Sequence, residues 1–203
     1  MKKTIALLCA ALLVFALAGC GGGGGPEETV AAFFDAAKTI DIEGMNACLS
    51  ADQALTWDLE AQSDDENAQR TMQLLRTLAA KLDYTLDRCE KDGDAAAADV
   101  TVRYADASMT VKDALTDVMA DLLAALFGAQ SETDPETLLL QAVQEKAEAG
   151  ETATRTAQLT LRLEQGEDGW RITDLPEEMI TVMTGNAIDA LEDAVQSLTG
   201  KTE

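Results

Sequence analysis

Two separated pairs of alternating segments constrain this chain more than any other feature. In the first pair, Leu82, Tyr84 and Leu86 alternate with Asp83, Thr85 and Asp87, and after Asp92-Gly93-Asp94 a second run places Ala98, Val100, Val102 and Tyr104 at every other position. Period two belongs to a strand with one buried face. Cross-strand neighbours share a face, so inward Tyr84 must oppose Val102 and Leu86 must oppose Val100. That pairing requires an odd loop, and a three-residue loop over Asp92, Gly93 and Asp94, with Gly93 at positive φ, supplies it. In the second pair, Ala157, Leu159, Leu161 and Leu163 face one way, and Trp170 and Ile172 return beyond Gly166-Glu167-Asp168-Gly169. Pairing Leu163 with Trp170 and Leu161 with Ile172 fits an even loop. Antiparallel hairpins with segregated helices define an α+β fold.

The helical signals frame those hairpins. Pro26, with Glu27 and Glu28 behind it, opens a helix whose Val30, Phe33, Phe34 and Ala37 form one apolar face. A short turn from Ile42 to Leu49 follows. A polar stretch over residues 62–68 precedes a helix through Met72, Leu75, Leu78 and Ala79. Two helices interrupt the strand order as an insert over about 107–150. One runs through Val111, Leu115, Val118, Leu122 and Phe127 to Gly128, and the other from Asp134-Pro135-Glu136 to about Ala149. An amphipathic helix with Ile188, Leu191, Val195 and Leu198 closes the chain, after a small apolar cluster of Met179, Ile180, Val182 and Met183.

The first nineteen residues carry a different message. Lys2 and Lys3 precede the uncharged apolar run Ile5–Ala18. As a helix this run would span roughly 21 Å, short of the ~30 Å hydrocarbon core of a bilayer, so it reads as a signal-peptide core and not as a permanent span. Leu17-Ala18-Gly19-Cys20 resembles the lipobox of bacterial lipoproteins. The resemblance implies cleavage before Cys20, diacylglyceryl transfer to its thiol and a mature N-terminus carrying palmitate-type acyl chains. At about 0.8 kcal/mol per buried methylene, two chains anchor stably where one would not. Gly21–Gly25 then form a tether. The expected organisation is a signal peptide over 1–19, lipidated Cys20 with its glycine tether over 20–25, and one α+β domain over 26–203. The expected location is the outer side of the cell membrane.

Charge and composition exclude several classes of function. The 15 basic residues against 37 acidic ones give a net charge of −22, which removes the basic footprint that nucleic acid requires. The absence of histidine removes the commonest general base and zinc ligand. Asp64-Asp65-Glu66 and Asp92-Gly93-Asp94 lack the spacing of a calcium loop, and no phosphate-binding glycine loop precedes a helix. No metal or cofactor is expected. Two cysteines remain in the exported domain, Cys48 and Cys89. Outside the cytosol they are candidates for a disulfide, with two separate thiols as the alternative. By strand parity Cys89 falls on the face opposite Tyr84 and Leu86.

Residues 26–49 resemble the opening helix of nuclear transport factor 2-like domains, which occur in lipoproteins of Gram-positive bacteria, and Gly-Glu-Asp-Gly-Trp-Arg-Ile-Thr-Asp at 166–174 resembles their final hairpin. The resemblance implies a curved antiparallel sheet packed on the N-terminal helix, here with a helical insertion and a C-terminal helix added. It also implies a cavity between sheet and helix, for which Phe34, Tyr84, Val102, Tyr104 and Trp170 are the candidate lining. The function expected on that basis is a non-enzymatic, membrane-anchored protein that binds a small molecule or an envelope protein partner. Family members with isomerase or dehydratase activity use a pocket Asp with Tyr or His. A tethered enzyme using Asp35 with Tyr84 or Tyr104 is therefore the alternative, and a structural envelope module is a third.

Overall fold

The computed structural model describes residues 24–56, 65–126 and 134–199. Among them are seven α-helices and a four-stranded antiparallel sheet, an α+β arrangement. Helix α1 spans Pro26–Ala37. Its first turn is closed by the Glu28 carboxylate, which accepts from the Gly25 amide. It buries Val30, Phe33, Phe34 and Ala37, the stripe that the sequence spacing predicts. The chain reverses at Ile40, held at φ 55° with its side chain buried. That conformation is costly for a β-branched residue and persists because burial over-determines it. Helix α2 (Ile42–Asn46) is capped by Asp41, whose carboxylate accepts from the Gly44 amide at 2.9 Å. Helix α3 spans Glu66–Ala79 and is capped by Asp65.

Strands β1 (Asp83–Asp92), β2 (Ala95–Asp106), β3 (Ala153–Gly166) and β4 (Gly169–Asp174) are neighbours in chain order. Tyr84 opposes Val102 and Leu86 opposes Val100, as the alternation requires. The odd residue does not sit in the loop, however. Asp92 pairs with Ala95 around a two-residue turn with Gly93 at φ 63°, and the register shifts between Leu86 and Arg88. Asp87 is thus a bulge, held on the outer face by the Thr101 hydroxyl, which donates to its carboxylate at 2.6 Å. A two-residue turn with glycine first suits strand twist better than a three-residue loop, and the extra residue moves into the strand. The second hairpin is also corrected. Leu163 pairs with Ile172 and Gln165 with Trp170, a slide of two residues that lets Glu167 and Asp168 alone form the turn. Each side chain keeps its expected face, because a shift of two preserves parity.

One sheet face is polar and open, and the other carries the first core, with α1 and helix α6 (Glu178–Thr184) packed against it. The free edge of β4 is partly covered. Ser50 donates to the Ile172 carbonyl and Ile172 donates to the Cys48 carbonyl, both at 2.9 Å. Between β2 and β3 the chain makes helices α4 (Ser108–Leu126) and α5 (Pro135–Glu148). With α3 and the last helix, α7 (Ala187–Thr199), they build a second core of leucine, valine and alanine, which Ile40 also enters. Of the apolar cluster near the C-terminus, Met179, Val182 and Met183 enter the first core and Ile180 stays exposed.

Candidate functional site

The five residues that the sequence assigns to a cavity between sheet and first helix lie in the first core. Phe34, Val102, Tyr104 and Trp170 are buried there, and Tyr84 packs against the cluster. Phe34 stacks on Tyr84 at 4.6 Å between centroids, Phe33 meets Phe34 edge-on at 5.6 Å, and the Lys38 ammonium stands 5.1 Å above the Tyr84 ring. At the far end the Lys91 ammonium covers Trp170 at 4.7 Å. Each such ring contributes a large buried area and offset-stacking energy of about 0.5–1.5 kcal/mol. Burial, aided by the charge of Asp35, pushes the Tyr84 phenol above its ordinary value. It therefore stays protonated at neutral pH, while Asp35 lies exposed on the outer side of α1.

Cys48 and Cys89 are separate thiols. Cys48 is fully buried and its Sγ donates to the Gly44 carbonyl at 3.5 Å. Because of the bulge at Asp87, Cys89 opposes Ala98 and turns toward α1, the reverse of the face that uninterrupted alternation gives it. Burial first, and then Glu27 beside it, raise the Cys89 thiol above its ordinary value.

A concave feature among the described residues is a groove between α4 and α7, of about 360 Å³. Its floor is apolar, from Val111 and Leu115 on one helix and Ala190 and Ala194 on the other. Its rim is polar: Lys112 on the α4 side, and Asp189 and Asp193, one turn apart, on the α7 side. Alanines at the helix contact leave space that larger side chains would fill, which is the physical origin of the groove.

The groove begins at a rigid seam. Asp106, the last residue of β2, has a side chain only 2% exposed and pairs with the Arg155 guanidinium. Its Oδ1 also accepts from the Ser108 amide at 2.8 Å. Burial pushes this carboxyl up, but Ser108, Arg155 and Asn186 together outweigh it and hold the group below its ordinary value. Beside it, the Ala107 amide donates to the Gly185 carbonyl at 2.8 Å. Gly185 sits at φ 59°, and a Cβ there would lie 2.3 Å from the Ala105 carbonyl oxygen. Asn186 follows at φ 58°. The Gly185-Asn186 pair is a legible sequence signal, since both residue types accept the left-handed conformation. It marks the break between α6 and α7 that sets the angle of the α7 wall.

Among the described residues no cluster of potential ligands could hold a metal ion, and no helix is long and apolar enough to cross a membrane. Cys20 and the signal segment lie outside the described residues. No family model matches the chain, and no curated protein matches it. One solved structure similar to it is that of a "putative lipoprotein (ycdA)" from Bacillus subtilis subsp. subtilis str. 168, at 16% identity and a TM-score of 0.47. The match covers 80% of this chain and 47% of that one, so this chain spans about half the length of the protein it resembles.

Proposed function

We propose that this chain is a lipid-anchored, extracytoplasmic binding protein, non-enzymatic and of the nuclear transport factor 2-like class, whose ligand site is the α4–α7 groove. The anchor reading rests on the charged start, the short apolar run and Leu17-Ala18-Gly19-Cys20. The class reading is supported by α1 lying on the packed face of an antiparallel sheet. The binding reading is carried by one observation, a groove of about 360 Å³ with an apolar floor and two carboxylates against one ammonium at its rim. That volume suits a small molecule. The floor favours a short hydrocarbon segment, and the excess of carboxylate over ammonium favours a cationic end. The ligand class is therefore a small amphiphilic cation.

Octylammonium, octanol and octanoate test this by isothermal titration and amide chemical-shift mapping. Binding is expected to weaken in that order, with shifts confined to α4 and α7. Asp193→Asn should reduce octylammonium affinity roughly 1.5- to 5-fold, the range for one exposed charge pair. Ala190→Phe should abolish binding by filling the floor while leaving the melting temperature within a few degrees. Saturable binding that survives Ala190→Phe, or no saturable binding of any of the three, would overturn the assignment.

A further inference from the structure

The two ends of the sheet differ in what they carry, and the tether joins one of them. Helix α1 starts at Pro26, directly after Gly24 and Gly25. Its first turns lie at the end of the sheet where both hairpins close. Thr29 donates to the Trp170 carbonyl at 3.5 Å, and Glu27 acts on the Cys89 thiol. The two hairpin turns are themselves joined, since Gln165 donates to the Asp94 carbonyl at 2.7 Å. The β2–β3 ladder runs from Ala95 opposite Glu164 to Asp106 opposite Ala153. At about 3.4 Å per residue that is nearly 40 Å. The Asp106–Arg155 pair, Gly185 and the mouth of the groove all lie at its far end.

The linker from Cys20 to Gly24 has a contour of under about 20 Å, about half the length of the ladder. Charge decides the remaining freedom. Without Lys2 and Lys3 the processed protein keeps 13 basic against 37 acidic residues, a net charge of −24, which repels the domain from an anionic leaflet and opposes its lying flat on one. We infer that the α4–α7 groove is presented at the end of the domain away from the anchoring bilayer, so that its ligand is a solute arriving from the aqueous side and not a lipid of that bilayer. This inference rests on the anchor and groove readings above and adds the direction of approach.

The test uses the full-length, processed protein in vesicles of phosphatidylcholine and phosphatidylglycerol. A donor fluorophore is placed in turn at Asp94→Cys, in the first hairpin turn, and at Asp113→Cys, on the second turn of α4, each in a Cys89→Ser background. Energy transfer is read to a headgroup-labelled lipid acceptor, and the N-terminal peptide is weighed in the same samples. The expected result is an acylated Cys20, strong transfer from position 94 and several-fold weaker transfer from position 113, with the contrast largest at low salt. Acylated protein with equal or reversed transfer would overturn the orientation and leave the anchor standing. A bare Cys20 would overturn both.

Discussion

The two cores of this molecule are built from different materials. Every buried or core-packed aromatic ring described, those of Phe33, Phe34, Tyr84, Tyr104 and Trp170, belongs to the layer between the sheet and α1. Among the described residues, the core among α3, α4, α5 and α7 contains none and is made of Leu, Val, Ile and Ala. Rings with centroids 4.6 to 5.6 Å apart fill the sheet layer. Alanine contacts let helices approach but leave gaps where two small residues face a branched one. The groove accordingly lies in the helical region, at Ala190 and Ala194. Residue volume thus separates the filled sheet layer from the helical layer that leaves a groove.

The seam between the two regions is where the comparison breaks most easily. Gly185→Ala adds a left-handed penalty of about 1–2 kcal/mol and forces Ala105 or the α6–α7 link to move, for a total of about 3 kcal/mol. Gly93→Ala suffers the same backbone penalty in open space, since a Cβ there meets nothing within 4 Å. It should cost about 1 kcal/mol. Urea unfolding of the two variants checks the ratio. Native-state amide exchange checks its location: Gly185→Ala should deprotect α7 and α4 before β2 and β3. Equal losses for the two glycines would mean that the seam is soft and that the regions are not joined there.

A smaller effect follows from Asp106. Its folded pKa lies below the ordinary aspartate value, so it stabilises the fold fully above the unfolded-chain value of about 3.9 and loses that contribution as pH falls through the lower, folded value. Arg155 is largely exposed, so the backbone and hydroxyl donors matter more than the ion pair. Asp106→Asn should cost about 1–2 kcal/mol at neutral pH and flatten the acid limb of the stability curve below about pH 4. Denaturant midpoints measured across that range test the sign. An unchanged acid limb would show that the seam carboxyl titrates alike in the folded and unfolded chains.

What could be read from the sequence, and what could not, divides along the same line. Alternation identified the inward residues of β2 and of β1 up to Leu86, and the pairs they form, because a misplaced parity would expose the whole hydrophobic set. Parity called for one extra residue, and the sequence placed it in the loop over Asp92, Gly93 and Asp94. Turn geometry put it at Asp87 and thereby turned Cys89 inward. For the second hairpin a slide of two leaves every side chain on its face, so burial alone could not choose between Trp170 and Ile172 as the partner of Leu163. The helices of the insert were legible from their apolar stripes and, for α5, from Pro135 and Gly150; the expected stop of α4 at Phe127-Gly128 lies outside the described residues. The groove was not, because it depends on α4 meeting α7, and no local pattern in α4 says which distant helix will cover it.

The finest test lies in the sheet layer, where the bulge has a chemical consequence. With Cys89 turned toward α1, its thiolate must form in a partly buried site beside the Glu27 carboxylate, and both effects raise its pKa. Thiolate is the reactive species, so at pH 7.5 Cys89 should alkylate more slowly than a free cysteine peptide. Removing the charge with Glu27→Gln lowers one of the two barriers and leaves burial in place. A rate increase of about two- to threefold is expected, less than the full recovery that a solvent-facing thiol would show. Cys48, fully buried, should react only on unfolding, so mass spectrometry of the native protein resolves Cys89 by itself. If Cys89 instead reacts at the peptide rate and ignores Glu27, its side chain lies on the open face of the sheet. The extra residue would then sit in the hairpin loop and not at Asp87, and the inner surface of the sheet layer would lose one of its members.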